Sequence, residues 1–268
     1  MIFYIPYSQL NRSLNIGERL LLPEDEAQHA VKVLRLQQGH SIEIVDGKGS
    51  FYNAVITNPH HKRCEIEITN CQTEYEKRDF YLHIAIAPTK NIERLEWFVE
   101  KATEIGIDEI TPILCRFSER KILKEERLEK IMISAMKQSK KAYLPKLNPL
   151  QSFEKFVASS ASATASFPEV LEGNVASSAS TIAPDTEAFE VSNQYIAHCY
   201  ENNEKNLLQN LYKKGESALI LIGPEGDFSQ EEVEFAIKNG FQPVSLGNSR
   251  LRTETAGIVA CHTVSITN

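Results

Sequence analysis

The stretch 218–229, Ala218-Leu-Ile-Leu-Ile-Gly-Pro-Glu-Gly-Asp-Phe-Ser229, joins a continuous apolar run to an abrupt Gly-Pro-Glu-Gly stop. Such a run is typical of a strand that a parallel sheet buries on both faces, and we place this strand at 219–222. Ser229 and Glu232 have the spacing of a capping box, which predicts the start of a helix. Gly240 predicts the end of that helix, because glycine readily takes the conformation that terminates helices.

A similar arrangement follows in 243–257, Pro243-Val-Ser-Leu-Gly-Asn-Ser-Arg-Leu-Arg-Thr-Glu-Thr-Ala-Gly257. It predicts a short strand at 244–246, an irregular loop that starts at Gly247, and a helix that begins near Thr253. In open α/β sheets, ligands bind at the carboxyl ends of the strands. The two loops that follow these strands are therefore a candidate ligand site.

The chain from Phe80 onward alternates strand and helix patterns, which predicts an α/β domain with a mostly parallel sheet. The other strands are expected at 81–87, 109–114 and 195–200, and the other helices at 91–105, 124–143 and 204–213. The first two of these helices carry apolar stripes that indicate a core-facing side. The stripes consist of Ile92, Leu95, Phe98, Val99, Ala102 and Ile105, and of Leu128, Ile131, Met132, Ala135, Met136 and Ser139.

Residues 1–72 have the pattern of a small β-rich unit, and the polar residues 73–79 predict a linker to the α/β domain. Short strands are expected at 20–22, 41–45, 51–56 and 64–69. The sequence Asp-Gly-Lys-Gly at 46–49 has the chemistry of a hairpin turn. One helix is predicted to begin at Pro23, with an apolar stripe at Ala27, Ala30, Val31 and Leu34.

The segment 158–188 departs from both patterns, because it is rich in serine and alanine and has no apolar periodicity. We interpret it as a surface excursion around a few buried anchors. The candidate anchors are Phe167, Val170 and Leu171.

The composition is that of a globular protein, with 42% hydrophobic and 24% charged residues. It contains no apolar run long enough for a membrane-spanning helix, and its first residues lack the pattern of a signal peptide. The five cysteines are scattered, without the spacing of a zinc site or a disulfide framework, which favours a reducing compartment. We therefore expect a cytoplasmic protein that has no membrane partner and binds no metal.

The net charge is −7, yet residues 116–146 contain ten basic and four acidic side chains. The simpler interpretation of this strip is a solvated helix face. A local basic strip on an acidic protein can still bind nucleic acid, because phosphate contacts are local and screened by salt. Charge alone leaves both interpretations open.

Several common functional motifs are missing from the sequence. It has neither the Gly-x-x-x-x-Gly-Lys-Ser/Thr phosphate loop nor a Gly-x-Gly-x-x-Gly after a strand, which disfavours nucleotide hydrolases and dinucleotide-dependent dehydrogenases. The Gly-x-Ser-x-Gly and His-Glu-x-x-His signatures of common hydrolases and metalloproteases are also missing. By itself, Gly223-Pro-Glu-Gly226 could be a plain turn with positive φ at its glycines.

The combination of motifs is more specific than any one of them. A small β-rich unit comes first, and Gly223-Pro-Glu-Gly226 follows it. About twenty residues later come Leu246-Gly and then Leu251-Arg-Thr-Glu-Thr-Ala256. With these motifs, the chain resembles the small-subunit ribosomal RNA uridine-N3 methyltransferases of the SPOUT superfamily. Four further segments match the family pattern. In the N-terminal unit they are His29 together with Val33-Leu34-Arg35 and Gly39, and the turn at 46–49. In the α/β domain they are Lys90 together with Arg94-Leu-Glu-Trp-Phe-Val-Glu-Lys-Ala-Thr-Glu-Ile-Gly106, and Gln138-Ser139 together with Pro145.

The chain differs from the family pattern in one unmatched segment and at two short sites. Residues of about 150–193 have no clear counterpart in the family pattern. Asp227 stands where the family usually has a third glycine, and Ser249-Arg250 stands where it usually has Arg-Ile. Both departures fall in the candidate ligand loops.

The resemblance implies a PUA-like β-barrel RNA-binding domain at 1–72 and a SPOUT methyltransferase domain at 80–268, with a trefoil knot at about 218–268. It implies S-adenosylmethionine as cofactor, a homodimer, and small-subunit (16S) ribosomal RNA or the 30S subunit as partner. The apolar residues Ile258 and Val259 of the last helix could form the dimer interface or belong to the core of the domain itself. The cofactor-binding residues it implies are His198, Tyr200, Gly223, Pro224, Glu225, Gly226, Leu246, Gly247, Asn248, Leu251, Thr255 and Ala256.

Uridine N3 carries a proton that must be lost during methylation, which calls for a cation or a base near the nucleobase. The candidates are Arg252, to stabilise negative charge on the base, and Glu254, to orient Arg252 or accept the proton. Alternatively, the two side chains pair with each other and brace the fold. The basic side chains expected along an RNA path are Lys32, Arg35, Lys90, Arg94, Arg120, Lys137 and Lys140.

Two other functions remain open at this stage. One is a SPOUT methyltransferase that acts on another RNA site, since target choice depends on surface shape. The other is a non-catalytic RNA-binding factor of ribosome assembly, which the intact Gly-Pro-Glu-Gly and Arg-Thr-Glu-Thr motifs disfavour.

Overall fold

The computed structural model describes residues 1–164, 193–200 and 205–268, whose strands form two sheets. The first sheet contains five strands in the order β1-β3-β4-β5-β2, all from the first 72 residues. They are β1 (Ile2–Tyr4), β2 (Arg19–Leu21), β3 (Ser41–Val45), β4 (Phe51–Asn58) and β5 (Glu65–Gln72). β1 pairs with β3 in parallel, and all other neighbours in this sheet are antiparallel. The hairpin predicted around 46–49 is confirmed as the β3–β4 connection.

Three short helical segments accompany this sheet. They are α1 (Tyr7–Leu10), α2 (Glu24–Gln28) and a π-helical turn (His29–Val33) that continues α2. The helix predicted to begin at Pro23 is present as α2, with Pro23 at its N-cap and three acidic residues, Glu24, Asp25 and Glu26, in its first turn. The strand β1 was not predicted, because three residues are too few to show an alternating pattern.

The second sheet contains eight strands, seven of them in the order β11-β13-β10-β12-β6-β7-β8, with β9 paired to β7. All its pairs are parallel, as the alternating strand and helix pattern predicts. The strands are β6 (Leu82–Ile86), β7 (Glu109–Leu114), β8 (Lys146–Leu147), β9 (Gln151–Ser152), β10 (Asn193–Ala197), β11 (Asn206–Leu207), β12 (Ala218–Ile222) and β13 (Gln242–Ser245).

Helices cover both faces of this parallel sheet. They are α3 (Ile92–Ile105), α4 (Glu125–Gln138), α5 (Phe153–Thr164), α6 (Leu208–Leu211), α7 (Gln230–Lys238) and α8 (Thr253–Thr267). One core combines Ile84 and Ile220 with α3, α4 and α8, while the other combines Ala85 and Leu221 with α5 and α7. Neighbouring residues of a strand point to opposite faces, so each strand contributes to both cores.

Local hydrogen-bonding motifs define the ends of the helices. Asn91 caps α3 by accepting a hydrogen bond from the backbone N–H of Glu93, and Gly106 follows the last turn with φ 121°. Ser229 and Glu232 form both hydrogen bonds of the predicted capping box at the start of α7. These motifs involve residues close together in the sequence, so local chemistry specifies them.

The helix predicted at 124–143 ends earlier than expected, at Gln138. The Ser139 hydroxyl donates to the carbonyl of Ala135, and Lys140 takes a left-handed φ of 59°, which no helix continues through. Tyr143 then forms β-bridges with Gly47 and Lys48 of the first sheet. Contact with the N-terminal unit therefore overrides the helical pattern at this point.

Two other predictions need correction. The helix expected at 204–213 is the short strand β11 followed by only one turn of helix, α6, because 206–207 add to the edge of the sheet beside β13. Residues 158–164 are the second half of α5 rather than part of a surface excursion. The rest of that segment, with Phe167, Val170 and Leu171, lies outside the described residues, as does residue 204.

The two sheets meet at the turn around 46–49. The Gly49 N–H donates to the Ala142 carbonyl, and the Tyr143 ring occupies the space where a side chain at residue 49 would lie. Nearby, the Lys137 ammonium is 2.5 Å from the Glu26 carboxylate. Across the described residues, we find no helix with the length and apolar character that crossing a membrane requires.

Candidate functional site

The carboxyl ends of three adjacent parallel strands, β13, β10 and β12, converge on a pocket of about 290 Å³. The pocket lies where the candidate ligand site was expected, at the ends of the strands. It is lined by the last residues of β10 and β12, by the loops that follow β10, β12 and β13, and by the start of α8. The lining residues are Ala197, Cys199, Ile222, Gly223, Pro224, Glu225, Asp227, Arg250, Leu251, Arg252, Thr253 and Ala256.

Gly223 joins the end of β12 to the start of α8. Its carbonyl oxygen accepts a hydrogen bond of 3.0 Å from the Thr253 hydroxyl, which fixes the first turn of α8 beside the pocket. A Cβ atom at Gly223 would lie 3.1 Å from the Phe228 ring, so close packing excludes a larger residue. The φ of Gly223 and that of Gly226 are not positive, but the motif does contain a turn, since the Asp227 N–H donates to the Pro224 carbonyl. The need for glycine at Gly223 comes from close approach.

Glu225 fixes a third loop at the same edge of the sheet. Its carboxylate accepts a hydrogen bond of 2.9 Å from the backbone N–H of Lys90, in the loop between β6 and α3. The Arg120 guanidinium donates to the carbonyls of Thr89 and Lys90 in that loop. The Lys90 ammonium lies 2.8 Å from Glu119. This polar network gives the wall of the pocket a defined shape.

Asp227 joins two of the pocket loops to each other. One carboxylate oxygen accepts a 2.8 Å hydrogen bond from the Cys199 N–H, and the other accepts one of 2.8 Å from the Phe228 N–H. Its φ is 67°, a conformation that glycine adopts freely and that aspartate tolerates better than most residues. The structure thus shows how an aspartate fits where the family pattern usually has glycine.

The two predicted catalytic residues occupy different environments. Arg252 is exposed, lines the pocket and stands at the N-cap position of α8. Glu254 is buried in the first turn of α8 and does not line the pocket. Its carboxylate is 3.8 Å from the Arg94 side chain on α3. Among the described residues, the ion pair of Glu254 is thus with Arg94, and the alternative of an Arg252–Glu254 brace is wrong.

Five other predicted cofactor-binding residues line the pocket, namely Gly223, Pro224, Glu225, Leu251 and Ala256. Seven others lie near it in the sequence but do not line it. These are His198, Tyr200, Gly226, Leu246, Gly247, Asn248 and Thr255. Gly226 faces Phe117, where an added Cβ would lie 3.0 Å from the Phe117 Cβ.

The loop after β10 shows why His198 and Tyr200 point elsewhere. Ala197, the last residue of β10, and Cys199, two residues further on, line the pocket instead, in step with the alternation of side chains along a strand. The buried His198 ring accepts from the Tyr200 N–H, and the Tyr200 hydroxyl donates to the Phe228 carbonyl. Burial lowers the pKa of His198, and it raises the pKa of the Cys199 thiol, which Asp227 raises further. A period of two along this strand is the signal that could have identified Ala197 and Cys199.

The predicted RNA-binding residues differ in their exposure to solvent and in their ion pairs. Lys32 and Arg35 are exposed on the N-terminal unit, and no ion pair involves them within the described part of the chain. Lys137 is a correction, because its ammonium pairs with Glu26 between the two sheets rather than facing solvent. Lys140 is exposed and 4.0 Å from Glu43. Of the other three, Lys90 and Arg120 belong to the hydrogen-bonded network around Glu225, and Arg94 pairs with Glu254 on α8, and none of them lines the pocket.

A search for metal-binding clusters of histidine, cysteine, aspartate and glutamate found none in the parts of the chain that the structure describes. The polar groups at the pocket are instead carboxylates, guanidinium groups and backbone atoms of irregular loops. This donor set suits an organic ligand that has both charges and hydroxyl groups.

The fold and the pocket define an α/β protein with a ligand site at the carboxyl edge of a parallel sheet, preceded by a small β unit. Residues 76–265 match the family model of an RNA methyltransferase domain, and residues 22–69 match that of an RNA methyltransferase PUA domain. The first match spans more than half of the chain. This chain therefore belongs to the RNA methyltransferase family, as the sequence motifs indicated.

Individual relatives agree with this assignment. The chain is 25% identical to the Ribosomal RNA small subunit methyltransferase E of Buchnera aphidicola, over 98% of this chain and 96% of the relative. It is 28% identical to the protein of that name from Synechocystis, over 91% of this chain and 72% of the relative.

Two solved structures share the whole fold. The probable rRNA-methyltransferase of Porphyromonas gingivalis is 38% identical, with a TM-score of 0.78 and coverage of 99% of this chain and 97% of that one. A Legionella pneumophila protein described as a methyltransferase, in complex with the bound cofactor SAM, is 25% identical. Its TM-score is 0.77, and the match covers 99% of this chain and 96% of that one.

Proposed function

We propose that this protein is an S-adenosylmethionine-dependent methyltransferase that methylates N3 of a uridine in small-subunit ribosomal RNA. The observation that carries the proposal is the pocket at the carboxyl ends of β10, β12 and β13, in a chain of the RNA methyltransferase family. The names of the curated relatives support the small ribosomal subunit as target, and the Legionella structure supports the cofactor. The N3 position rests on the motif resemblance. A ribosomal RNA substrate also supports a cytoplasmic location.

The pocket fits S-adenosylmethionine in its charges and its backbone. Glu225 is suited to bind an ammonium group or ribose hydroxyls, and Arg250 to bind a carboxylate. Gly223 lets the backbone of its loop pack closely against Phe228, which holds this wall of the pocket in place. Cavities of about 300–1,000 Å³ commonly bind small molecules, and this one is close to the lower end of that range.

Bound S-adenosylmethionine supplies an electrophilic methyl group, whose bond to sulfur breaks as the electron pair of N3 forms the new N–C bond. The protein must hold the uridine in line with that bond and help N3 lose its proton. We assign to Arg252 the stabilisation of the negative charge that develops on the uracil ring, since its guanidinium is exposed at the pocket. Solvent at this open face can receive the proton.

Glu254 has an orienting role in this proposal. Its carboxylate is buried beside Arg94, away from the pocket surface, so it is poorly placed to take a proton from the uridine directly. The Arg94–Glu254 pair instead joins α3 to the first turn of α8, the turn that presents Arg252 and Thr253. Loss of this pair is expected to lower the rate of methyl transfer by misplacing Arg252.

The quaternary and topological expectations are part of the proposal as well. β13 lies between β10 and β11, so the last strand of the chain is inserted between two strands that precede it in the sequence. This order supports a trefoil knot at about 218–268.

The separate hydrophobic core of the first sheet supports an RNA-binding domain at 1–72 and a linker at 73–79. We propose a homodimer that binds the RNA or the 30S subunit with the exposed cations Lys32 and Arg35.

The proposal can be tested by incubating the purified protein with S-adenosylmethionine and unmodified small-subunit RNA, free or assembled into subunits. The nucleosides are then analysed by mass spectrometry. We expect one N3-methyluridine per RNA. Arg252→Ala should reduce the single-turnover rate about 100-fold or more at saturating RNA. Arg116→Ala is the matched control, because this arginine pairs with Glu231 on the surface and does not line the pocket.

The alternatives predict different results. A methylated nucleoside other than N3-methyluridine, or transfer to another RNA, would favour a methyltransferase with a different target. RNA binding without any methyl transfer would favour a non-catalytic assembly factor. Full activity of Arg252→Ala would remove this residue from the mechanism.

A further inference from the structure

Asp227 is the one non-glycine residue with positive φ among the residues that line the pocket. A left-handed conformation is unfavourable for a residue with a side chain, so something must compensate for it. The two hydrogen bonds from Cys199 and Phe228 do so in part, and they tie the loop after β10 to the loop after β12. Glycine would adopt the same φ without strain, but it has no carboxylate to accept these two hydrogen bonds.

Asp227 also changes the charge of the pocket. The lining contains two guanidinium groups, from Arg250 and Arg252, and two carboxylates, from Glu225 and Asp227. Without Asp227, the pocket would carry an excess of positive charge. Asp227 is half-buried, so solvent screens its carboxylate less than that of a fully exposed residue.

We propose that the Asp227 carboxylate is a specificity-determining residue, which makes the pocket prefer the cationic S-adenosylmethionine over its neutral-sulfur product S-adenosylhomocysteine. This inference rests on the proposed function. The two ligands differ by one methyl group and by the positive charge of the sulfonium. A carboxylate at the pocket attracts that charge, whereas two arginines opposed by a single carboxylate would repel it.

The consequence concerns the end of the reaction. When the methyl group leaves, the sulfur becomes neutral and the attraction to Asp227 is lost. The product then binds more weakly relative to fresh cofactor, which limits product inhibition. The backbone bonds to Cys199 and Phe228 hold the carboxylate in one position, so its effect does not depend on a flexible side chain.

The test is calorimetric titration of S-adenosylmethionine and S-adenosylhomocysteine into wild type, Asp227→Asn and Asp227→Gly, at low ionic strength. Asparagine tolerates the same φ and removes the charge, whereas glycine relieves the strain and removes both charge and tie. In both variants, we expect the ratio of the two affinities to shift about fivefold toward the product. A general weakening of the pocket would change both affinities equally and leave the ratio unchanged.

Glu231→Gln is the matched control, since it removes a carboxylate from the exposed start of α7 without altering the pocket lining. Its affinity ratio should equal that of wild type. An unchanged ratio in both Asp227 variants, with wild type binding both ligands, would overturn this inference and leave the proposed function intact. Wild-type protein that binds neither ligand would overturn both. If Asp227→Asn fails to fold in a melting experiment, Asp227→Gly alone decides the question.

Discussion

The central strands of the two sheets differ in how the chain buries them. Along β4, in the N-terminal sheet, Tyr52, Ala54 and Ile56 are buried while the residues between them are partly exposed. Along β12, in the parallel sheet, all five residues are buried. The difference arises because helices cover both faces of the parallel sheet, whereas the outer face of the N-terminal sheet is covered only in part, where Ile2 and Val45 pack against Met136.

This difference has a functional side. Strands buried on both faces are held rigidly, so the loops at their carboxyl ends start from fixed positions. The pocket is built from such loops, cross-linked by Asp227, Glu225 and Thr253. The N-terminal sheet instead exposes cations such as Lys32 and Arg35 beside its only partly covered surface. The loops of the pocket thus start from strands that are buried on both faces, whereas these cations of the N-terminal unit are exposed.

The strongest test of the contrast is alanine substitution of adjacent residues. In β12, Ile220→Ala and Leu221→Ala should each lower the free energy of unfolding by about 4 kcal/mol, because each face adjoins a dry core. In β4, Ile56→Ala should cost about as much, but Val55→Ala only about 1 kcal/mol. Urea denaturation of the four variants measures these values. Equal costs at residues 55 and 56 would show that the N-terminal sheet is also buried on both faces.

The packing of α8 on α3 provides the next largest effect. A Cβ atom at Gly257 would lie 2.5 Å from the Phe98 ring, in a core that has no room to relax. Gly257→Val should therefore lower the free energy of unfolding by about 3 kcal/mol. His262→Val, at an exposed position of the same helix, controls for the effect of valine on the helix and should cost less than about 1 kcal/mol. Thermal melting of both variants makes the comparison, and similar melting temperatures would contradict it.

A buried histidine of the parallel sheet, His83, is expected to make the free energy of unfolding depend on pH. Burial lowers the pKa of His83 to about 4, against the attraction of Glu109 and with the help of Lys146. The unfolded chain binds a proton at this residue near its ordinary pKa of 6.5, so the free energy of unfolding falls as the pH drops from 6.5 toward 4. At pH 5 this loss amounts to about 2 kcal/mol relative to neutral pH.

The measurement compares wild type with His83→Gln, which can keep a hydrogen bond to Thr111 but does not titrate. Urea denaturation at pH 7.5 and pH 5 should show a smaller loss in the variant. Other groups also titrate in this range, so the difference between the two proteins isolates His83. The same loss in both proteins would mean that His83 is protonated without cost in the folded state.

The smallest effect is expected where the two sheets meet. Lys137 and Glu26 are 2.5 Å apart, with 24% and 13% of their side chains exposed. A double-mutant cycle with Lys137→Ala and Glu26→Ala should give a coupling free energy of about 1 kcal/mol or less, because such ion pairs lose most of their attraction to desolvation and ordering. A coupling of zero would mean that the backbone contacts around Gly49 and Tyr143 determine this junction by themselves.

Sequence patterns predicted the elements of the parallel sheet well, because apolar runs and caps are local signals. They placed β7 at its observed bounds and identified the capping box of α7. They failed where another part of the chain competed with local propensity. Contact of Tyr143 with the first sheet ended α4 early, and pairing with β13 turned 206–207 into a strand.

At the candidate site, too, the sequence predicted the local features correctly and failed where distant parts of the chain meet. The sequence located the pocket loops and Arg252, but it assigned His198 and Tyr200 to the pocket in place of Cys199. The alternation of side chains along the strand decides that choice. The sequence also left open a pairing of Glu254 with Arg252, whereas the packing of α8 on α3 brings Glu254 to Arg94. Lys137 was expected to face RNA and instead contacts Glu26.

The sequence by itself determined the class of fold, the family and the loops that carry the pocket, because these depend on residue types at short spacings. The tertiary structure alone decided which atoms of those loops meet. Asp227 and Cys199 are 28 residues apart, and Lys137 and Glu26 are 111 apart. Contacts over such distances depend on how helices and sheets pack as solid bodies, and no local pattern in the chain specifies that packing.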